Sequence, residues 1–292
     1  MSIAVIINPV AGGARPATGR ARAELAAAVV EKHGETADVL LTERVGHARE
    51  LTAAALARGA RLVIAWGGDG TINEVASVLA FGDVPLGIIS AGSGNGLATE
   101  LGIAANPERA IANAVRAKAS TIDLGELGGR LFVNIAGIGF DAYVAAQFNV
   151  PGRLRGFAGY LRIGSWAFIS YVPAWYAIST GNVQMTVRAV LVVVANSVQY
   201  GNGARIAPGA RVDDGELDLV VVEENSRFAT FCQTPRLFTG SLARMPGCSI
   251  RRIREATIAC SEPMVFHVDG EPIQDGTELR ARVHPGALRI CV

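Results

Sequence analysis

Over roughly the first 120 residues, short apolar runs of strand length alternate with alanine-rich stretches of helical character. Residues 3–7, 38–41, 62–66 and 86–89 read as strands, and 19–33, 47–58, 71–80 and 107–118 as helices. Ile72, Val75, Ala76 and Leu79 fall at i, i+3, i+4 and i+7, one apolar helix face. Asn106-Pro107 offers an N-cap followed by proline at the first helical position. Strand–helix alternation with apolar strands predicts a mostly parallel sheet covered on both faces. After Thr121 the pattern changes. Residues 121–124, 131–135, 185–194, 216–222, 255–259, 264–268, 278–283 and 287–292 read as strands, separated by turn clusters such as Gly128-Gly129, Asp213-Asp214-Gly215, Asp269-Gly270 and Pro285-Gly286. One helical interruption is expected between about 142 and 177. The pattern predicts two domains: an α/β domain over 1–122, and a mainly antiparallel, sandwich-like β domain over 123–292.

Composition narrows the function classes. Twenty-seven Lys+Arg against 26 Asp+Glu leave a formal charge of +1, which excludes a strongly cationic nucleic-acid binder. Half the residues are hydrophobic, so the chain can bury enough surface to fold and is not a disordered segment. Cys232, Cys248, Cys260 and Cys291 form no C-x-x-C pair and have no histidine at ligand spacing. They predict free thiols in a reducing, cytoplasmic setting. The N-terminus lacks a cationic segment and does not read as a signal peptide. No apolar run is long and clean enough to predict a membrane-spanning helix; the nearest, 167–187, is interrupted by Pro173, Gly181, Asn182 and Gln184.

From Ala142 to Val212 there is neither Asp nor Glu, but Arg153, Arg155, Arg162, Arg188, Arg205 and Arg211 are present. Phe157, Tyr160, Trp166, Phe168, Tyr171, Trp175 and Tyr176 crowd the first half of this stretch. Cationic and aromatic residues without anions suit contact with anionic headgroups; a buried helix pair with scattered surface arginines is the other reading.

Three glycine-rich segments follow predicted strands: Asn8-Pro9-Val10-Ala11-Gly12-Gly13, Gly67-Gly68-Asp69-Gly70-Thr71 and Ala91-Gly92-Ser93-Gly94-Asn95-Gly96. Glycines after a strand let phosphate approach backbone N–H groups, and a following helix adds partial positive charge. Loops at successive strand ends are expected to converge on one crevice. No lysine stands where a P-loop requires one. Asp69 would repel phosphate directly, so its expected task is to hold Mg²⁺ or a ribose, or to organise the loop. Gly137-Ile138-Gly139-Phe140-Asp141-Ala142 matches a dinucleotide-binding fingerprint, but the acid-free stretch occupies the place where the ribose-binding carboxylate should stand. Near the C-terminus, His267-Val268-Asp269-Gly270-Glu271 puts two carboxylates at i and i+2. On one strand they would face the same way and could share a site for a hydroxyl proton or a metal; a turn with a solvated Glu is the alternative.

In order and spacing, these motifs resemble the diacylglycerol kinase catalytic-domain family, which includes bacterial lipid kinases and sphingosine kinases. The resemblance spans nearly the whole chain, and Gly67-Gly68-Asp69-Gly70-Thr71-Ile72-Asn73-Glu74 is its most specific part. It implies an NAD kinase-like first domain and ATP-dependent phosphorylation of a lipid hydroxyl, diacylglycerol giving phosphatidic acid first and a sphingoid base or another lipid alcohol second. It implies a nucleotide site between the domains on Asn8, Thr42, Gly67, Gly68, Asp69, Gly70, Thr71, Asn73, Ser93 and Asn95. It places the proton acceptor on Asp269 with Glu271 beside it, Asp69 near the catalytic Mg²⁺, and a structural Mg²⁺ on Asp214 with main-chain oxygens of Arg211 and Glu216. Lipid presented at a membrane surface, with peripheral contact at the inner face, is the expected partner, together with a second copy in a homodimer. Gly92-Ser93-Gly94-Asn95-Gly96 departs from the usual bacterial diacylglycerol kinase loop towards that of sphingosine kinases, which leaves the substrate open. NAD kinase and a catalytically inactive regulator are the remaining alternatives.

Overall fold

The computed structural model describes residues 2–13, 17–148, 170–181 and 183–292. They divide into two units, 2–122 with 286–292, and 123–285. The last seven residues, expected in the second unit, pair in the first.

In the first unit, strands β1 (Ile3–Ile7), β2 (Ala37–Leu41), β3 (Leu62–Gly67) and β4 (Leu86–Ser90) alternate with helices α1 (Ala17–Lys32), α2 (His47–Ala57), α3 (Asp69–Leu79), α4 (Gly96–Glu100) and α5 (Pro107–Arg116). Every pairing is parallel, in the order β2–β1–β3–β4, and Ile290 and Cys291 extend the sheet by pairing with Leu86 and Gly87. β1 and β3 are buried along their whole length, the expectation for a sheet covered on both faces. Ile3, Val5, Ile7, Leu62, Ile64 and Trp66 pack there with Val29, Ile111 and Ala114 from helices. Asn106 caps α5 as its sequence predicts, accepting the Arg109 N–H.

The second unit is antiparallel. β5 (Ser120–Leu127), which enters it from the first unit, is followed by β6 (Arg130–Phe132), β7 (Ile135–Gly139), helix α6 (Phe140–Phe148), β8 (Ala174–Thr180), β9 (Val183–Ala195) and β10 (Leu217–Glu223). Two short helices, α7 (Arg227–Gln233) and α8 (Pro235–Thr239), precede β11 (Cys248–Ile253), β12 (Glu255–Ala259), β13 (Met264–Val268), β14 (Glu271–Asp275) and β15 (Glu278–Cys291). β9 is shared among three strands: its first half pairs with β8, its second with both β7 and β10. β13 lies between β7 and β14. Phe132, Phe266, Ile258, Val192, Val194 and Leu219 form the main core.

Several expectations change. The strand read at 131–135 is two strands, β6 and β7, separated at Val133-Asn134, and the glycine fingerprint at 137–139 lies inside β7. Pro285-Gly286 is not a turn: β15 runs through it, with Gly286 at φ 61°. β8 replaces the end of the expected helical interruption, while β14, α7 and α8 had no sequence signal. Arg153, Arg155, Phe157, Tyr160, Arg162, Trp166 and Phe168, on which the cationic–aromatic reading leaned, lie outside the described residues. All four cysteines are free, with Cys232 exposed and Cys291 buried.

Candidate active site

The three glycine segments meet within the first unit. A Cβ on Gly92 would lie 2.7 Å from the Gly68 Cα, and one on Gly12 would lie 2.5 Å from the Ala91 carbonyl oxygen. Only glycine permits such backbone approach, and Gly12 also sits at φ 72°. Side chains lock the arrangement. Asp69 Oδ2 accepts the Asn95 N–H at 3.0 Å, and Asn95, left-handed at φ 53°, closes its own loop by exchanging bonds with the Gly92 N–H and carbonyl. Asn8 Nδ2 donates to Thr71 Oγ1 at 3.2 Å. Asp69 is thus, at the least, the organiser of the loop. Helix α3 begins at Asp69, two residues earlier than expected, so its first-turn N–H groups, which have no intrahelical acceptors, fall within the motif.

Glu74, at the end of the same motif, has a structural explanation. Its carboxylate accepts the Gly46 N–H at 2.8 Å and the Ala48 N–H at 3.0 Å, placing a negative charge at the start of α2. Asn73 is buried on α3, Thr42 is buried just past β2 with its N–H on the Ile7 carbonyl, and Ser93 is exposed. A cavity of about 390 Å³ opens beside the loops, lined by Gly12, Arg22, Trp66, Ala91, Gly92 and Asn95 among others. Its size falls within the range of small-molecule sites. Arg22 had escaped the sequence analysis. Its guanidinium stacks 5.6 Å from the Trp66 ring and donates to the Asn8 and Ala11 carbonyls. Partial burial lowers its pKa. A cation fixed among phosphate-sized glycine loops is a natural anion partner; the signal available beforehand was an unpaired arginine one turn into the helix that follows the first glycine segment.

In the second unit, Asp269 and Glu271 do not sit on one strand. Val268 pairs with Glu271 across a two-residue hairpin, so Asp269 (φ 48°) and Gly270 (φ 86°) are the turn itself. Positive φ at both positions marks the turn type that suits a tight hairpin. The same-face argument for the two carboxylates therefore fails. Instead the Asp269 carboxylate accepts three backbone N–H groups: Val133 at 2.8 Å, Asn134 at 2.9 Å and Ile135 at 3.0 Å. These donors are where the expected single strand breaks in two. Beneath them Asn134 bonds the Ser197 hydroxyl and the Gln199 carbonyl, and Asn196 bonds the Asp123 and Val133 carbonyls. Glu271 is half-buried at the start of β14.

A second buried set supports the hairpin from behind. His267 Nε2 lies 3.2 Å from Asp141 Oδ2, with both side chains about 95% buried, and the Tyr200 hydroxyl donates to the same oxygen at 2.9 Å. The Gly270 N–H donates to His267 Nδ1 at 3.3 Å, which leaves the ring proton on Nε2, towards Asp141. A Cβ on Gly137 would fall 1.8 Å from Asp141 Oδ2 and 2.9 Å from His267 Nε2. The glycine of the apparent dinucleotide fingerprint thus makes room for this pair.

The metal candidates gather on the turn after residue 210. Asp214 Oδ1 accepts the Glu216 N–H at 3.2 Å, and Asp123 Oδ2 accepts the Gly215 N–H at 2.7 Å. Arg211 pairs with Asp213, and Arg252 approaches Asp214 and Glu216. Among the described residues no cluster of three or more His, Cys, Asp or Glu side chains is disposed to hold a metal. One carboxylate plus main-chain oxygens, as the family resemblance implies here, is a donor set that hard cations accept. Asp218, buried nearby, has its pKa raised to about 6 by burial.

Comparison with known proteins identifies the family. Residues 2–127 match the diacylglycerol kinase catalytic domain, and 134–292 match the YegS C-terminal NAD kinase beta sandwich-like domain. A probable lipid kinase YegS-like protein of Pseudomonas aeruginosa is 33% identical over 283 residues, covering 93% of this chain and 90% of that protein. A diacylglycerol kinase of Mycobacterium tuberculosis is 32% identical over 264 residues, covering 84% of each. The crystal structure of a putative diacylglycerol kinase from Bacillus anthracis superposes with a TM-score of 0.81 over 99% of this chain and 94% of that one, at 21% identity. The chain belongs to the YegS-like lipid kinase and diacylglycerol kinase family.

Proposed function

We propose that the protein transfers the γ-phosphoryl group of ATP to the hydroxyl of a lipid alcohol, with diacylglycerol the first candidate and a sphingoid base the second. The observation that carries the nucleotide half is the backbone contact of the Gly68 and Gly92 loops beside Arg22. It puts close-packed glycine backbone and one guanidinium at the cavity wall, where a phosphate could approach. Thr42, Asn73 and Ser93 complete the proposed nucleotide set. The lipid half rests on the family.

Phosphoryl transfer requires chiefly positioning and neutralisation of oxygen charge. Mg²⁺, when bound, supplies part of that neutralisation, with Asp69 its proposed neighbour; Asp214 and the main-chain oxygens of Arg211 and Glu216 would hold a second, structural ion. The acceptor hydroxyl loses its proton as its oxygen bonds the γ-phosphorus, and the bond from that phosphorus to the β–γ bridging oxygen breaks to release ADP. We assign the proton to Glu271. Asp269 already accepts three N–H bonds, so protonating it would set an O–H against donors; its proposed task is to hold the turn that presents Glu271. Incubation with labelled ATP and a panel of lipid alcohols tests the reading: a labelled phospholipid is expected, and no labelled lipid across the panel would defeat it.

A further inference from the structure

Helix α7 carries its apolar side towards solvent. Phe228, Phe231 and Cys232 lie at i, i+3 and i+4, one face of the helix, yet Phe228 is 80% and Phe231 62% exposed, and no residue of the helix is buried. Ordinary surface helices do the reverse, turning that stripe to the core. Val172 and Trp175, also exposed, belong to the same edge of the second unit. The Arg227 guanidinium reaches the Tyr171 carbonyl, and Trp175 pairs across the sheet with Arg188. Arg188 in turn reaches the Pro173 carbonyl and Glu224, two residues before the N-cap of α7.

Charge identifies the occupant. From Asn225 to Arg254 the chain has no Asp and no Glu, and Arg227, Arg236 and Arg244 surround the two phenylalanines in sequence. The nearest preceding carboxylate, Glu224, is already paired with Arg188 at 2.8 Å. Apolar wedges within a cationic, acid-free frame match a bilayer whose headgroups are anionic and whose acyl boundary lies just beneath. The two rings of α7 offer about 300–500 Å² at most, and exposed Phe238, Val172 and Trp175 extend the apolar surface around them. A small wedge is sufficient for a membrane, where headgroup attraction supplies the rest.

We infer that the α7–α8 insertion is the membrane-docking surface, inserting Phe228 and Phe231 into an anionic leaflet while Arg236 and Arg244 contact its headgroups. The inference extends the lipid-kinase reading by naming where the chain would meet its substrate's membrane, but it is tested without catalysis. The probe is co-sedimentation with vesicles of phosphatidylcholine and phosphatidylglycerol in equal parts, against pure phosphatidylcholine, without ATP. The wild-type chain should pellet with the anionic vesicles, and added salt should weaken this. Phe228→Ser with Phe231→Ser should weaken binding by about tenfold or more per ring. Arg236→Gln with Arg244→Gln should weaken it about fivefold per charge and flatten the salt dependence. These variants should melt like wild type and phosphorylate a short-chain, monomerically dissolved lipid alcohol equally well. Wild type that pellets but phosphorylates no lipid alcohol would defeat the kinase reading and support this surface. Wild type that does not pellet, or a double-serine variant that pellets unchanged, overturns the inference. So does sedimentation equilibrium showing a dimer that Phe228→Ser dissolves, because the face would then belong to a second copy.

Discussion

Replacing Asp269 with asparagine, and separately Glu271 with glutamine, distinguishes a proton acceptor from the anchor that presents it. Asparagine tolerates the left-handed turn position about as well as aspartate, so the backbone cost of φ 48° is unchanged. What changes is the set of bonds at 2.8, 2.9 and 3.0 Å to Val133, Asn134 and Ile135. Two become neutral and lose about 1 kcal/mol each; the third N–H faces an amide NH₂ and is left unsatisfied, costing about 1–3 kcal/mol. The sum is roughly 3–5 kcal/mol. For a unit of about 160 residues each kcal/mol moves the midpoint by about 2–4 °C, so Tm should fall by roughly 6–20 °C. Glu271→Gln keeps shape and loses only the charge, so kcat should fall by about 10²–10⁴. Calorimetry and a turnover assay at low temperature, where both variants remain folded, give the comparison. Asp269→Asn should retain more of its kcat than Glu271→Gln under those conditions. An Asp269→Asn variant with wild-type Tm and no turnover, beside an active Glu271→Gln, would refute the assignment and return the proton to Asp269.

Gly137→Ala drives a methyl into the Asp141–His267 pair and should destabilise by more than about 3 kcal/mol; adding Asp141→Gly removes the 1.8 Å clash and leaves only the 2.9 Å approach to His267, so strictly additive losses in the double variant would contradict the packing argument. Arg22→Met should weaken nucleotide binding by about 10–100-fold, read as a smaller ATP-dependent thermal shift, and an unchanged shift would remove Arg22 from the site. Glu126 titrates below its ordinary value of 4.5: burial pushes its pKa up, but the bonds from His284 and Arg282 outweigh it. Its stabilisation is therefore present above the unfolded pKa and lost as pH falls through the lower folded value. Wild type should exceed Glu126→Gln by up to about 1 kcal/mol at pH 7, with the gap closing as pH falls through the lowered folded value, and a gap that persists in strong acid would show that the stabilisation is not ionic.

The parallel half of the fold and the three glycine loops were legible in the chain because those signals are local. Five apolar residues make β1 or β3, and Gly67-Gly68-Asp69-Gly70-Thr71 carries its own turn and helix start. The structure moved those element ends by only a residue or two. The second unit was legible as antiparallel strands, but its chemistry was not. Asp269 bonds Val133, Asn134 and Ile135 from more than 130 residues away, so neither the break in that strand nor the occupation of the carboxylate could be read from neighbours in the chain. The same separation hid the reason for Gly137, whose missing Cβ is filled by a His–Asp pair closed over 126 residues. The sequence carried no reading of a helix at Phe228 and Phe231, and only the assembled structure shows that these rings share an exposed face. Local bonding writes itself into sequence; long-range contacts, and their absence, exist only once the chain has folded.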